Sequence, residues 1–421
     1  MNWWLRSAFS TEQFRNVNTN GNVNSNNASN RNSPRPALAE TESPDGTEAR
    51  ERRPSLKTRC YMTPTLAQIE RAWKIVRRGK TQYERYQKYE YYLEDNLLAV
   101  QELMETDQLR PGRMSLKCIT VPKPRVVQVP TVRDKLVMHI LCDNLIYDAV
   151  AAQLGDGISA CMIGRGTEYG TNRVRALLKD YWHEYHSVPY ILKGDVHAYF
   201  ASVDRDRLAE IAGEVVDDED VLRISRRYIY HDNGKKGMPL GLQQNQCYGN
   251  LYLADLDRMI VEKRGYRRYG RHMDDFYVIA QTCEELEELL AAITAKLREL
   301  GLELNPKTTI ERGRLDFLGF THLLTDDGKH VLRLQNGKKK AKKRELKMVV
   351  RELRSGNLTA EKAQQRYDGW RQRVLRAGCR NVVFEMDRHF IRLLHKAGYK
   401  TRTTRKGVEI LAETNQRDQL E

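Results

Sequence analysis

The spacing of apolar positions changes along the chain, and each change predicts a different element. From Thr63 onward the apolar residues recur with the period of a helix, and Thr65 is placed to cap the segment LAQIERAWKIV. A second helical stretch covers 83–109, and Pro111 with Gly112 ends it. The pattern therefore predicts that helices precede every strand of the fold.

Shorter apolar runs, which are typical of strands, follow and alternate with helices. CITVPKPRVVQVP predicts a hairpin that turns at Pro-Lys-Pro, and 132–154 predicts a long amphipathic helix. YILKGDVHAYF predicts a buried strand, Val278 marks another, and DFLGF and HVLRL predict two short ones. Thr282 is placed to cap a helix that Gly301 ends. From 338 to about 400 the pattern is helical only, so we predict an α+β fold followed by an α-helical region.

The first 53 residues have a different composition from the rest. Nine of the seventeen residues 16–32 are Asn, and a polar stretch with several prolines follows. Such a segment cannot bury enough apolar area to offset the entropy of the chain. We therefore predict that 1–53 is disordered.

Charge and cysteine usage narrow the class of function. The chain has 421 residues, with 71 Lys and Arg against 56 Asp and Glu, a net charge of +15 that indicates a polyanionic partner, most simply nucleic acid. No apolar run reaches the length of about 18 residues that a membrane span needs. The seven Cys are scattered without a CxxC pair, which argues against a zinc ribbon or a disulfide framework. We expect a cytoplasmic protein.

Three carboxylates stand at predicted strand ends. Asp195 closes the apolar run YIL, and Asp274 and Asp275 lie between RRYGRHM and FYVIA, where a hairpin turn is predicted. Adjacent acids repel one another unless a cation lies between them. An Asp-Asp pair is also common in ordinary β-turns, because Asp is favoured there. By itself the pair leaves both interpretations open.

Six segments in order resemble the motifs of reverse transcriptases. VPKPRVVQVPTVRDKLV resembles the finger segment, KGDVHAYFASVDRDRL motif A, GMPLGLQQNQCYGNLYLADLD motif B, RYGRHMDDF motif C, LELNPKTTI motif D, and DFLGF the primer grip. The resemblance implies a right-hand polymerase. Its fingers and palm, an antiparallel sheet plus helices, would cover 54–335, and its basic helical thumb 336–400. The disordered tail 1–53 would precede them, and a C-terminal tail 401–421 would follow.

The same resemblance implies the catalytic residues of an RNA-directed DNA polymerase. Asp195 and Asp274 would hold two Mg²⁺ ions together with the backbone of Val196, and Asp275 would complete this metal site as a further ligand or as a support for it. The backbone N–H groups from Val196 onward would reach the triphosphate of the incoming nucleotide. Lys307 would donate a proton to the leaving pyrophosphate or act as a charge clamp.

Substrate contacts are also implied. Lys123 and Arg125 would hold the β- and γ-phosphates, although as lone cations they would be solvated surface. Phe200 would pack under the sugar and select dNTPs, although without the motif it would be an ordinary core residue. Gly241 and Gln246 would belong to the loop that packs on the template base and the nucleotide.

Motif B favours one subfamily, the reverse transcriptases of diversity-generating retroelements. LGLQQNQ is closer to their LGxxxSQ than to the QGxxxSP of group II intron enzymes, and the Asn-rich tail resembles a translated template repeat. On that interpretation the protein could start near Met62. The chain departs from the family at Asn245, which replaces Ser, at His272, which replaces Tyr, and at Met162, which replaces Arg. The third departure puts one nucleotide contact in doubt.

The expected partners are a primed RNA template, dNTPs, a small basic accessory protein and no membrane. A basic stretch, 329–351, holds ten Lys or Arg and one acid, which suits contact with a duplex backbone. Two alternatives stay open: a group II intron-type or phage-defence reverse transcriptase, and a catalytically silent RNA-binding scaffold.

Overall fold

The computed structural model describes 63–119, 125–232, 234–404 and 407–411, and divides the chain into two units. The first unit ends at Arg110 and the second begins at Pro111. The predicted tail 1–53 lies outside the described residues. The unit boundary falls inside the predicted fingers and palm, whose limits stay a prediction.

Three helices form the described part of the first unit. They are α1 (Leu66–Arg77), α2 (Glu84–Tyr91) and α3 (Leu93–Glu105). The predicted cap at Thr65 is confirmed. The Thr65 side chain accepts a hydrogen bond from the Gln68 N–H, and the Gln68 side chain accepts one from the Thr65 N–H. The predicted second helix is two helices, because the chain breaks at Tyr92.

The second unit begins with a hairpin and a bent helix. Strands β1 (Ser115–Ile119) and β2 (Arg125–Val129) pair antiparallel, as predicted. The predicted helix over 132–154 consists of α4 (Val132–Leu141), a π-helical turn (Cys142–Ile146) and α5 (Tyr147–Ala152). The π turn inserts an extra residue, which the apolar period alone does not reveal.

A four-stranded antiparallel sheet forms the centre of this unit. Its order is β4-β5-β3-β6, with β3 (Tyr190–Asp195), β4 (Tyr269–His272), β5 (Asp275–Ala280) and β6 (Thr309–Arg312). Helix α6 (Thr167–Tyr185) buries Val174, Leu178 and Tyr181 against Ile191 and Ile279 of the sheet.

Helices connect β3 to β4 and β5 to β6. They comprise α7 (Tyr199–Ser202), α8 (Arg205–Val215), α9 (Glu219–Ile229), α10 (Gln243–Leu251), α11 (Ala254–Arg258), a second π-helical turn (Met259–Lys263) and α12 (Cys283–Glu299). Helix α12 packs against β3 and β5. Thr282 caps it through a capping box, and Gly301 follows its end with a left-handed φ of 68°, as predicted.

A second sheet leads into the C-terminal helices. Strands β7 (Arg314–Phe317), β8 (Phe320–Leu324) and β9 (His330–Leu334) pair in order. DFLGF was predicted as one strand, and that prediction is wrong. Leu318 and Gly319 have φ of 52° and 85° and turn the chain from β7 into β8.

Three helices and one hairpin end the described chain. Helices α13 (Asn336–Arg354), α14 (Ala360–Arg376) and α15 (Arg380–Lys396) share one core with Val408. The hairpin β10 (Lys400–Thr403) and β11 (Val408–Leu411) was not predicted, since it lies where a C-terminal tail, 401–421, was expected.

The predicted α+β fold class is confirmed, and the mixed antiparallel sheets followed by helices are consistent with a right-hand polymerase. None of the helices within the described residues is long and apolar enough to cross a membrane.

Candidate active site

Strand register brings the three predicted acids to one edge of the central sheet. Asp195 is the last residue of β3 and pairs directly with Asp275, the first residue of β5. Asp274 lies in the turn between β4 and β5, after Met273, whose φ is 61°. Because paired residues of antiparallel strands point to the same face, Asp195 and Asp275 are neighbours.

Asp274 carries the strongest electrostatic perturbation at this edge. Its side chain is buried, and burial together with the nearby Asp195 carboxylate raises the pKa of Asp274 to about 7. Among the side chains that the structure describes, no cation forms an ion pair with Asp274. A cation bound between the two carboxylates would remove this repulsion.

Asp275 has a different environment from Asp274, because a lysine pairs with it. Lys193, two residues before Asp195 on β3, places its Nζ 2.7 Å from Asp275 Oδ1. Burial raises the pKa of Asp275, and Lys193 opposes that shift. Asp275 is thus already neutralised by the protein, which suits a supporting role. Sequence reasoning missed Lys193, although its position on the same strand face was a usable signal.

Asn305 holds Asp195 in place from the segment that follows α12. Its Nδ2 donates to Asp195 Oδ2 over 2.9 Å, and its backbone N–H donates to the Asp195 carbonyl over 2.7 Å. The Lys307 N–H donates to Asn305 Oδ1 over 3.1 Å. The Lys307 side chain is exposed. The predicted motif D segment is therefore tied to the first acid through Asn305, which sequence reasoning missed.

Val196 offers a carbonyl to the site. Its N–H donates to the Asp274 carbonyl over 3.1 Å, and the His197 N–H donates to the Glu303 carbonyl over 2.8 Å. Both N–H groups are therefore used within the protein, and the expectation that the N–H groups of this segment reach a triphosphate stays a prediction for the residues after His197. Within the described part of the chain, the Val196 carbonyl accepts no hydrogen bond.

Phe200 lies against helix α10. Its side chain is buried, and a Cβ built on Gly249 would lie 3.4 Å from Phe200 Cζ. The Tyr199 hydroxyl donates to the Gly249 carbonyl over 2.5 Å, and the Met238 N–H donates to the Phe200 carbonyl over 2.6 Å. The side chain of Phe200 therefore lies against α10, and its backbone carbonyl is bonded to Met238.

Gly241 and Gln246 contact residues that precede the central sheet along the chain. A Cβ on Gly241 would lie 1.6 Å from the carbonyl oxygen of Gln128 in β2, so only glycine permits this approach. Gln246 Oε1 accepts from Cys161 Sγ over 3.3 Å. Lys123 lies outside the described residues, and so does the side chain of Arg125. The structure therefore does not test their predicted phosphate contacts.

The three departures from the family are all buried. Asn245 donates from Nδ2 to the Pro239 carbonyl over 3.0 Å, while its Oδ1 finds no partner among the described residues. His272 Nδ1 shares a hydrogen bond of 2.9 Å with Ser159 Oγ, so a polar contact stands where the family has aromatic packing. Met162 is buried as well.

Two carboxylates and one carbonyl fit a magnesium site that substrate completes. Among the described residues, no three His, Cys, Asp or Glu side chains already form a metal-binding cluster. Mg²⁺ is usually held by one or two carboxylates plus water and substrate phosphates, so such a cluster is not required. Asp195, Asp274 and the Val196 carbonyl are the donors that fit, and a bound cation would lower the pKa of Asp274, which burial and the Asp195 carboxylate raise.

The family comparison agrees with this geometry. Residues 119–322 match the family described as reverse transcriptase (RNA-dependent DNA polymerase). The matched segment is a little less than half of the chain, and it resembles a reverse transcriptase domain, the domain of RNA-directed DNA polymerases. Residues 1–39 match a second family, described as a domain of unknown function. No curated protein matches the chain.

Solved structures to which the chain is similar include telomerases of two Candida species. Apo telomerase from Candida tropicalis, truncated from its C-terminal domain, is 11% identical with a TM-score of 0.42, over 58% of this chain and 60% of that one. Telomerase from Candida albicans, in complex with a TWJ fragment of telomeric RNA, is 10% identical with a TM-score of 0.42, over 75% and 65%. The chain thus spans less than two thirds of either telomerase chain.

Proposed function

We propose that this chain, which resembles a reverse transcriptase domain over 119–322, adds dNTPs to a primer on an RNA template by two-metal phosphoryl transfer. The observation that carries the proposal is the placement of Asp195 beside Asp275 and of Asp274 in the adjoining turn, at one sheet edge. In a fold without a bound cation, such a concentration of carboxylates is destabilising. A phosphoryl-transfer site gives it a purpose.

Each acid has its own part in this proposal. Asp195, Asp274 and the Val196 carbonyl would hold Mg²⁺, which activates the primer 3′-oxygen and stabilises the leaving oxygen when bound. Asp275 stays paired with Lys193, so its carboxylate would not be a metal ligand. Asn305 orients Asp195 through its side-chain and backbone bonds.

Residues around the sheet edge that carries the three acids would select the nucleotide and assist the departure of pyrophosphate. Phe200, held against α10, would lie under the sugar and exclude a ribose 2′-hydroxyl. Gly241 and Gln246 would contact the template base and nucleotide, and Lys123 and Arg125 the phosphates. Lys307 is exposed and lies three residues past Leu304, which forms a β-bridge with Val196, and it would neutralise or protonate the leaving pyrophosphate.

The basic C-terminal helices would hold the template–primer duplex. Helix α13 has the sequence NGKKKAKKRELKMVVRELR, and its apolar residues Leu346, Val349 and Val350 are buried in the core of the helical region. Since the apolar face of α13 packs against that core, most of the Lys and Arg side chains of the helix face solvent. Contact with phosphates of either strand would follow without sequence preference.

We propose that the protein belongs to a diversity-generating retroelement and is encoded by a bacterium or a phage. It would act in the bacterial cytoplasm and bind a small basic accessory protein. The motif B string LGLQQNQ supports this, as does the tail. Residues 1–39 match a family different from that of the polymerase, which agrees with a tail translated from a template copy of another gene. Asn codons begin with two adenines, so an enzyme that errs at template adenines would vary them most.

Primer extension on an RNA template, followed by sequencing of the cDNA, tests both levels. The purified chain, Mg²⁺ and dNTPs should give DNA, and Asp274→Asn should lose it by at least about 100-fold. Asp326→Asn, an exposed carboxylate paired with Arg312, is the matched control and should retain activity. Asp274→Asn removes a repulsion, so it should unfold no more easily than wild type.

The outcomes separate the candidates. Errors concentrated at template adenines support the retroelement context, and evenly spread errors favour an intron-type or defence enzyme. No product, even with the cognate RNA and accessory protein, favours the silent RNA-binding scaffold. In that case the first substitutions to test would restore the residues of the family at the three buried departures: Asn245→Ser, His272→Tyr and Met162→Arg.

A further inference from the structure

Arg271 is a fully buried arginine two residues before the catalytic turn. It lies on β4, and its side chain has 0% exposure. A guanidinium offers five N–H donors and is charged at any physiological pH. Burying one unpaired would be strongly unfavourable, so its partners define what it does.

Every donor of Arg271 has an acceptor. Nε donates to Asp257 Oδ1 over 2.8 Å and Nη2 to Asp257 Oδ2 over 2.5 Å, which makes a bidentate ion pair with α11. Nη1 donates to Asn250 Oδ1 over 3.3 Å, and Nη2 to the Asn250 carbonyl over 3.1 Å. The remaining bond, 3.0 Å from Nη1, goes to the carbonyl of Met273.

The Met273 carbonyl belongs to the strained part of the turn. Met273 has a φ of 61°, which is unfavourable for a residue with a side chain, and Asp274 follows it directly. Arg271 fixes the Met273 carbonyl, and the Val196 N–H fixes the Asp274 carbonyl over 3.1 Å. The backbone that carries Asp274 is therefore held from both sides, by one charged and one neutral donor.

The second arm of the network reaches helix α10. Asn250 is buried, accepts from Arg271 and donates from Nδ2 to the Ala160 carbonyl over 2.7 Å. Its neighbour Gly249 lies against Phe200, the residue expected under the nucleotide sugar. One guanidinium thus joins the helix beside the nucleotide position to the turn that carries Asp274.

We infer that Arg271, with Asp257 and Asn250, is a positioning residue that sets the place of the catalytic turn relative to helix α10. The inference rests on the proposed polymerase function. A buried ion pair is rarely needed for stability, because well-packed apolar residues of similar volume often serve as well. One of the five hydrogen bonds of the Arg271 guanidinium is directed at the Met273 carbonyl, and apolar packing could not supply such a bond.

The thumb-side helices contain a matched control. There Tyr367 and Arg371 both bond to the buried Asp387, as Tyr269 and Arg271 both bond to Asp257. Arg371→Met with Asp387→Leu therefore removes a similar buried pair and leaves a similar tyrosine hydroxyl unpaired. The control pair lies on α14 and α15, away from the catalytic turn.

The test compares Arg271→Met/Asp257→Leu with that control in the full chain. Mn²⁺ binding, followed by electron paramagnetic resonance without turnover, should weaken about tenfold or more in the Arg271 pair and stay unchanged in the control. In primer extension the kcat of the Arg271 pair should fall about 100-fold, since small misplacements of reacting groups have effects of that size. Thermal unfolding of each protein is measured alongside.

A second variant covers failure to fold. Arg271→Lys keeps the charge next to Asp257 but has no fork that also reaches Asn250 and Met273, so it should weaken Mn²⁺ binding in the same direction. Folded Arg271 variants that bind Mn²⁺ and extend primers within about threefold of wild type would overturn the inference. A wild-type protein without polymerase activity would instead overturn the proposed function, and that result is recorded before any variant is compared.

Discussion

At the residue scale, the two acids of the DD pair differ in their partners. Asp274 has a carboxylate neighbour and a pKa raised to about 7, whereas Asp275 has Lys193 at 2.7 Å. Identical side chains at adjacent positions therefore have different environments. The difference follows from strand register, because Lys193 and Asp195 lie on the same face of β3, across from Asp275.

Replacing Lys193 tests this distinction. Lys193→Met leaves the Asp275 carboxylate half-buried and unpaired, and we expect a loss of about 1–2 kcal/mol in the free energy of unfolding at neutral pH. Lys193→Arg keeps a cation in reach and is the control, with a smaller loss. Urea unfolding followed by circular dichroism measures both. Equal stability of Lys193→Met and wild type would mean that solvent already satisfies Asp275.

At the element scale, Gly241 allows the loop before α10 to pack closely against strand β2 of the β1–β2 hairpin. Gly241→Ala places a methyl group 1.6 Å from the Gln128 carbonyl oxygen, so the strand or the loop must move. We expect a loss of about 2–4 kcal/mol in the free energy of unfolding, as for other severe overpacking. Gly155→Ala is the control, because nothing lies within 4 Å of its Cβ. Thermal unfolding of both variants checks the prediction, and similar melting temperatures would contradict it.

A histidine pair makes the β7–β8–β9 sheet sensitive to acid. His322 Nδ1 lies 3.1 Å from His330 Nε2, and burial is the main cause that lowers their pKa values to about 3 and about 4. Both imidazoles are thus neutral in the folded chain and protonate near pH 6.5 when it unfolds. Their stabilisation is present above pH 6.5 and is lost as pH falls from there toward 4.

His322→Phe removes one of these groups. Between about pH 7.5 and about pH 5, wild type should lose about 2 kcal/mol more stability than the variant, because one fewer proton is taken up on unfolding. Urea unfolding at both pH values gives the difference. Parallel losses in the two proteins would show that the pKa of His322 is the same in the folded and in the unfolded chain.

At the scale of the whole molecule, the net charge of +15 should control affinity for the template–primer duplex. The dissociation constant should rise steeply with salt, with a slope on logarithmic axes set by the number of phosphates contacted. Replacing Lys338, Lys340 and Arg344, which are exposed residues of α13, together with Gln should lower that slope by about 2–3 and leave the melting temperature unchanged. Fluorescence anisotropy at several salt concentrations measures it. A slope equal to that of wild type would place the duplex elsewhere.

Much of the fold and the acids could be predicted from the sequence, because their signals are local. Capping residues fixed the start of α1 and α12, and alternation and turn residues fixed most strands. Asp195 and Asp274 were placed correctly at a strand end and a turn. The π turn after α4, the turn inside DFLGF and the β10–β11 hairpin were missed, because each depends on packing that short windows of sequence do not contain.

The sequence by itself determined the order of elements, the charge of the C-terminal helices and the three acids, because these are properties of residue type and short-range spacing. Only the tertiary structure decided which partner each acid receives. Asn305 reaches Asp195 across 110 residues, and Arg271 joins Asp257, Asn250 and Met273. Such contacts depend on strand register and on helices packed from distant parts of the chain, for which no local pattern exists.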